Sequence, residues 1–295
     1  MDYLHNMKNK ANFVITEIPS LKNRALNYGD GCFSTMLSKK GRIELLDRHI
    51  VRLLTDAKRL HILNKDVSLS VTDLKQLINT FAANNYEINK NNNETEWQII
   101  KLLIARGDSD RGYAPALNSY PVLLPSAQSY FPVANRSIVI GLAKITLAEQ
   151  PVLSGIKHLN RLEQVMAKIE LADNDRVDDL VLTNVKGIMI ELTSSNLFYC
   201  INGQWHTPCL EKAGVNGVMR QFILDYMKRN QIHCVVCEMN VLALSSAQSV
   251  FSCNAVTHIV PVSGINIGGR FIQFDTQPSQ LLAENMTTEI ALVQE

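Results

Sequence analysis

The sequence predicts an α+β protein of two domains. A chain of 295 residues matches about two domains of ordinary size. Apolar residues make up 46% of it, enough to fill two sizeable cores. Short β-rich apolar runs are interspersed with stretches whose apolar residues recur at helical spacing. The expected partition is residues 1–125, a linker at 126–134, and 135–295. Lys+Arg 29 against Asp+Glu 28 leaves a net charge of +1, so no chain-wide field attracts nucleic acid or membrane, and neither is expected as a partner. The first residues, Met1-Asp2-Tyr3-Leu4-His5, lack an apolar signal core, and no run is long enough to span a bilayer. The expectation is a cytoplasmic protein.

Taken in order, Phe13-Val14-Ile15 is a short strand or part of a leader. Tyr28-Gly29-Asp30-Gly31 marks a tight turn before a strand containing Phe33, Ser34, Thr35 and Met36. Lys39–Arg42 turns this strand into a hairpin with Ile43–Leu46. Asp47 is expected to cap a helix whose stripe is Ile50, Leu53, Leu54, Ala57 and Leu60, with His49 and Arg52 on a face away from it. Ser70 and Asp73 open a second helix with Leu74, Leu77, Ile78 and Phe81 inside. The asparagine-rich residues 84–96 are expected as a surface loop. Trp97–Ala105 is a buried strand leading into Arg106-Gly107-Asp108-Ser109-Asp110-Arg111-Gly112-Tyr113, ordinarily a solvated turn. Val122–Leu124 is another strand.

Ile138–Ile140 opens the second domain. Gly155 to Val165 carries Lys157 at the edge of an amphipathic helix, with Leu159, Leu162, Val165/Met166 and Ile169 at helical spacing. Most lysines are simply solvated, but one held in a pocket has its pKa lowered and can condense with aldehydes. Hairpins are expected about 184–187 and about Asn202-Gly203. Glu191 follows apolar residues and precedes small polar ones, which makes it an edge-strand charge or a site carboxylate. Ala213-Gly214-Val215-Asn216-Gly217-Val218-Met219-Arg220 leads into a helix at Gln221–Lys228, and glycines there make either a turn or an anion site. Cys234 and Cys237 lie in a β-rich stretch. Residues three apart on a strand point to opposite faces, so no metal pair is expected, and all six cysteines read as reduced thiols. Cys253-Asn254-Ala255 ends a strand. Gly264–Ile272 forms a last hairpin, and a structural helix runs from Pro278 to about Ile290.

Several of these stretches resemble one family. Gly155–Val165 is similar to the active-site lysine segment of the aminodeoxychorismate lyases. These belong to the fold-type IV pyridoxal-phosphate enzymes, with the branched-chain and D-amino-acid aminotransferases. Tyr28-Gly29-Asp30-Gly31, His49-x-x-Arg52-Leu53, the Arg106–Tyr113 loop, Glu191-x-x-x-x-Asn196-Leu197-Phe198, the glycines before Val218 and Cys253-Asn254-Ala255 match further segments of that family. Asn23 departs from the Asp more usual at its position. With gaps, the resemblance runs from about Arg24 to Val262.

The resemblance implies a small α/β sandwich N-terminal domain, a larger α/β pseudo-barrel C-terminal domain, a homodimer and a pyridoxal 5'-phosphate cofactor. Lys157 would be the cofactor's attachment point and the catalytic proton carrier, with Thr35 orienting. Arg52 and the amides of Val218 and Met219 would hold the phosphate, and Glu191 would pair with the ring nitrogen. Asn254 and Ala255 would border the cofactor; Arg111, Tyr28 and Asn254 would bind substrate. The implied reaction turns 4-amino-4-deoxychorismate into 4-aminobenzoate and pyruvate. The alternatives are a D-amino-acid or branched-chain aminotransferase and, from another class, a non-catalytic small-molecule binding protein. An intact Lys157/Glu191 pair argues against the last, which has little use for an electron sink.

Overall fold

A computed structural model describes residues 13–16, 18–64, 67–90, 95–110, 112–116, 119–133, 136–174 and 176–294. The chain forms two compact units. The first comprises residues 1–132 with Lys157–Asn160, and the second comprises Val133–Ile156 with Arg161–Glu295. Each combines sheets with helices, an α+β arrangement.

The first unit is a five-stranded sheet ordered β1-β5-β4-β2-β3. Its strands are β1 (Val14–Ile15), β2 (Gly31–Lys39), β3 (Arg42–Ile43), β4 (Trp97–Ala105) and β5 (Val122–Tyr130). Three helices join them: α1 (Arg24–Tyr28), α2 (Leu46–Arg59) and α3 (Val71–Asn89). Along β2, Cys32, Ser34, Met36 and Ser38 are fully buried, while Phe33 and Thr35 are half-buried on the other face. The buried face receives α2: the Cys32 thiol lies 3.9 Å from the Leu53 carbonyl oxygen.

Four expectations change here. Asp47 does not cap α2. The N-cap is Leu45 in the left-handed region, and Asp47 sits in the first turn, paired with Lys75 at 2.6 Å, where a carboxylate suits the helix dipole. His49 is not on the surface but 1% exposed, because it turns toward Ser34. The polar stretch from Asn84 is helical through Asn89, its amides returning to helix carbonyls (Asn85 to Phe81 and Asn89 to Asn85, each 2.9 Å). Residues 126–130 are not linker, because β4 is paired along its whole length and holds β5 as strand out to Tyr130.

The second unit is a nine-stranded sheet with the path β11-β10-β9-β12-β13-β6-β7-β8, and β14 joined to β13. Its strands are β6 (Ile138–Thr146), β7 (Asp179–Thr183), β8 (Met189–Leu192), β9 (Asn196–Ile201), β10 (Gln204–Pro208), β11 (Cys234–Cys237), β12 (Ser249–Asn254), β13 (His258–Ile267) and β14 (Arg270–Gln273). The sheet curls so that β8 comes against β9 and β10 without a shared ladder. Ile140, Val181, Leu192, Tyr199, Val250 and Val262 fill the core. Asn202 and Gly203 both have positive φ (52° and 75°), as a two-residue hairpin turn between β9 and β10 requires. Helices α4 (Leu162–Ala172), α5 (Val218–Arg229) and α6 (Gln277–Gln294) pack on this sheet.

Helix α4 forms as expected but faces the other way. Leu162, Val165, Met166 and Ile169 are 77%, 49%, 52% and 54% exposed. The docked face is Glu163, Ala167 and Glu170. Where β6 shifts register against β7 between Leu142 and Thr146, its amides lose strand partners. Glu170 accepts from the Lys144 amide (2.9 Å) and the Ile145 amide (3.4 Å), and Glu163 accepts from Ala148 (2.8 Å). These charge-assisted bonds to amides without a ladder partner, that of Ile145 half-buried and the other two exposed, set the face on which the helix docks. Glu170→Ala should therefore lower the unfolding free energy by about 1–2 kcal/mol, while Leu162→Ala stays within about 0.5 kcal/mol. Urea unfolding measures both, and equal losses would contradict this account of docking.

Candidate functional site

Residues 157–160 lie along β2 of the first unit. The Phe33 amide donates to the Lys157 carbonyl and the Leu159 amide to the Gly31 carbonyl, both at 3.0 Å. Cys32 and His158 form an antiparallel bridge, and the Asn160 side chain donates to Gly29 O at 3.0 Å. The Lys157 amide donates to Asp56 Oδ2 on α2 at 3.1 Å. Both backbone groups of Lys157 are thus held, and its Nζ stands 4.7 Å from the Phe33 ring centroid. Lys101, beside Thr35 on β4, places its own Nζ 4.6 Å from that ring.

Arg52, expected to bind phosphate, donates through Nη2 to Ser34 Oγ. Ser34 Oγ is 2.6 Å from His49 Nδ1. Burial, helped by the charges of Arg52 and Lys157, pushes the His49 pKa well below the usual histidine range. A neutral imidazole can accept the Ser34 hydroxyl proton at Nδ1, which leaves Ser34 Oγ to accept from Arg52. The sequence placed His49 in a motif with Arg52 but gave neither it nor Ser34 a role, because a serine in a strand and a histidine in a helix reveal their pairing only when the two elements pack.

Tyr28 accepts from the Gly112 amide at 3.1 Å, and its ring lies under the Arg24 guanidinium. Arg24 also binds the carbonyls of Gly112, Tyr113 and Ala114. Asp30 accepts from both Arg24 and Arg106, whose hydrogen bonds and charges outweigh its burial and hold its carboxyl below the usual carboxylate range. Arg111 lies outside the described residues.

In the second unit Glu191 is 4% exposed. Its Oε2 accepts from the Val215 amide at 2.8 Å and its Oε1 from Gln164 Nε2 at 3.3 Å. Val218 and Met219 are not just ahead of a helix, as the sequence suggested, but form the first turn of α5, where N–H groups lack intrahelical acceptors. A Cβ at the N-cap Gly217 would lie 2.2 Å from Asn196 Oδ1, and Asn196 Nδ2 donates to Val215 O at 2.8 Å. Asn254 holds a turn, with Oδ1 accepting from the Val256 and Thr257 amides (both 2.8 Å) and Nδ2 donating to Ser195 at 3.0 Å. Ala255 lies in that turn.

These residues fit pyridoxal phosphate. A lysine amine stands over an aromatic ring, a buried carboxylate is held by a backbone amide, and the entry to α5 is too tight for any side chain at Gly217. Among the described residues no cluster of three or more His, Cys, Asp or Glu could hold a metal, and all six cysteines are free.

His49 gives a stability prediction. The unfolded chain protonates it near pH 6.5 and the folded protein does not. Stability should be complete above that pH and fall below it, by up to about 1.4 kcal/mol per unit. Denaturant unfolding between pH 5 and 7.5 measures this slope. His49→Gln should flatten it, and an unchanged slope would reject the assignment.

Comparison with known proteins follows the same lines. Residues 31–265 match the family described as amino-transferase class IV. An aminodeoxychorismate lyase of Vibrio harveyi is 34% identical over 263 residues, covering 88% of this chain and 91% of the relative. A putative branched-chain-amino-acid aminotransferase of Methanocaldococcus jannaschii is 29% identical over 259 residues, covering 86% and 84%. The crystal structure of 4-amino-4-deoxychorismate lyase from Pseudomonas aeruginosa superposes with a TM-score of 0.81 at 29% identity, covering 92% of this chain and 95% of that one. The chain belongs to the class IV aminotransferase family and has the fold of the fold-type IV enzymes.

Proposed function

We propose that this protein is a pyridoxal-phosphate-dependent lyase that converts 4-amino-4-deoxychorismate into 4-aminobenzoate and pyruvate. The observation that carries the reading is the segment Lys157–Gln164. It closely resembles the lysine segment of the lyases, it sits within a 34% match to a lyase over 88% of the chain, and its lysine is pinned at both backbone groups.

Pyridoxal phosphate, when bound, supplies an electron-withdrawing ring. Lys157 would be its attachment point, and the free Lys157 amine would be the base that takes the proton from C4 of the substrate ring. With its Cα fixed against β2, the long side chain swings without displacing the backbone, and the same amine can return a proton to the departing three-carbon group. Aromatisation of the remaining ring favours expulsion. Glu191, held by Val215 and Gln164, would pair with the ring nitrogen. Arg52 and the Val218 and Met219 amides bind the phosphate, with Ser34 and neutral His49 orienting the guanidinium. Thr35 orients the reacting groups; Asn254 and Ala255 border the cofactor; Tyr28, Asn254 and Arg111 contact substrate. We also read the protein as a cytoplasmic homodimer, a reading supported by the free thiols and by the exposed apolar face of α4. Among the described residues no helix is long and apolar enough to cross a membrane.

Mixing the purified protein with 4-amino-4-deoxychorismate should release 4-aminobenzoate and pyruvate in equal amounts, read by fluorescence and by a coupled dehydrogenase. Lys157→Ala should lower turnover by about three or more orders of magnitude, in line with loss of a catalytic base and nucleophile, while circular dichroism stays unchanged. Efficient transamination of D-alanine or a branched-chain amino acid without 4-aminobenzoate would replace the lyase by the aminotransferase reading. A protein that binds substrate and turns over neither would leave only the binding role.

A further inference from the structure

Arg220, in the first turn of α5, is 5% exposed. Its three hydrogen bonds all go to neutral acceptors. Nε donates to Thr207 Oγ1 (3.2 Å), Nη1 to Asn216 Oδ1 (3.0 Å) and Nη2 to Pro208 O (3.0 Å). It makes no ion pair with a carboxylate among the described residues. Two nearby thiols, Cys234 and Cys253, offer no countercharge. Burial pushes Cys234 up to about 11 and Cys253 up to about 12, against the pull of Arg220 itself, so both are uncharged at neutral pH. A buried cation without an anion is costly, and buried charges are ordinarily paired. The helix terminus makes the imbalance larger, because the start of a helix already carries a partial positive charge and favours anions over cations.

We propose that Arg220 is the buried countercharge for the phosphate of the cofactor, acting through the α5 entry rather than by touching it. This rests on the reading of Val218 and Met219 as phosphate-binding amides. Two structural features connect the charge to that place. Asn216, bonded to Arg220, donates its amide to Gly155 O at 3.0 Å and directly precedes Gly217. Gly217 in turn has no room for a Cβ against Asn196. The guanidinium therefore fixes the turn that presents the amides, and its charge adds to theirs. Its neutral partners leave that charge uncompensated within the protein, so a dianion at the helix start feels it with little screening. Arg220 is a positioning residue, and its signature is selectivity for the phosphate rather than for the ring.

The test compares the affinity of the full-length apoprotein for pyridoxal phosphate and for pyridoxal, by absorption and fluorescence titration, in wild type, Arg220→Gln, Arg220→Met and Arg220→Lys. Folding of each is checked by circular dichroism. In the two charge-free variants the preference for the phosphorylated ligand should fall about tenfold or more, with pyridoxal affinity little changed. Arg220→Lys, which keeps the charge, should hold the preference within about threefold. Inorganic phosphate should compete with pyridoxal phosphate in wild type and much less in Arg220→Gln. An unchanged preference in whichever charge-free variant folds would overturn the proposal. So would equal loss for both ligands, or a loss in Arg220→Lys as large as in Arg220→Gln, since each marks a purely structural role. If wild type showed no preference for pyridoxal phosphate over pyridoxal, the phosphate-site reading itself would fail, a result distinct from all of these.

Discussion

An ionised group buried without a partner costs several kcal/mol, and both units of this protein are arranged around that penalty. In the first unit the penalty is avoided by neutrality: His49 is kept uncharged between Ser34 and the cationic Arg52 and Lys157. Asp30 is treated in the opposite way and sits ionised between Arg24 and Arg106. In the second unit Glu191 is buried against a backbone amide and a side-chain amide, and Arg220 against three neutral oxygens. Carboxylates also do what strands leave undone, as where Glu170 takes up amides released by the irregularity in β6 and Glu163 the Ala148 amide just beyond it. At His49, Asp30 and Glu191 the solution is closed by partners a few ångströms away, whereas at Arg220 the hydrogen bonds are satisfied and the charge is not.

Much of the architecture was legible in the sequence because it follows from periodicity and turn chemistry. Trp97–Ala105 reads as a buried strand and is a strand over those residues; Asn202-Gly203 turns a hairpin; Ser70 caps α3 through its side chain. What escaped were features decided by tertiary partners. The stripe on α4 was a correct helix signal with the wrong face, since apolar spacing cannot register that a bulged strand nearby needs acceptors. The polar run at 84–89 is helical because asparagine amides return to the helix's own carbonyls, a choice composition does not reveal.

The candidate site was legible unevenly for similar reasons. Lys157, Arg52 and Glu191 stand in compact motifs, which a resemblance picks out. Ser34, Gln164 and Arg220 are ordinary types in ordinary company; their importance comes from which atom they face. Asn254 was read as bordering the cofactor, and its carbonyl oxygen is also occupied in holding the turn after β12. A single side chain can therefore belong to a motif and to the scaffold at once.

The pairing of residues 157–160 with the start of β2 also bears on the order of folding. The first unit is not one continuous stretch of chain, because its last contribution is made only after β6 has been synthesised. Asn160 reaches back across 131 positions to Gly29. Closing so long a loop is entropically expensive and slow relative to local contacts. A nascent chain can therefore assemble the sheet of the first unit well before the lysine segment arrives on its edge. The start of β2 then waits for residues 157–160 as an open strand edge, with amide and carbonyl groups exposed to other chains. The long loop thus separates the docking of the Lys157 segment from the local contacts that form the surface receiving it.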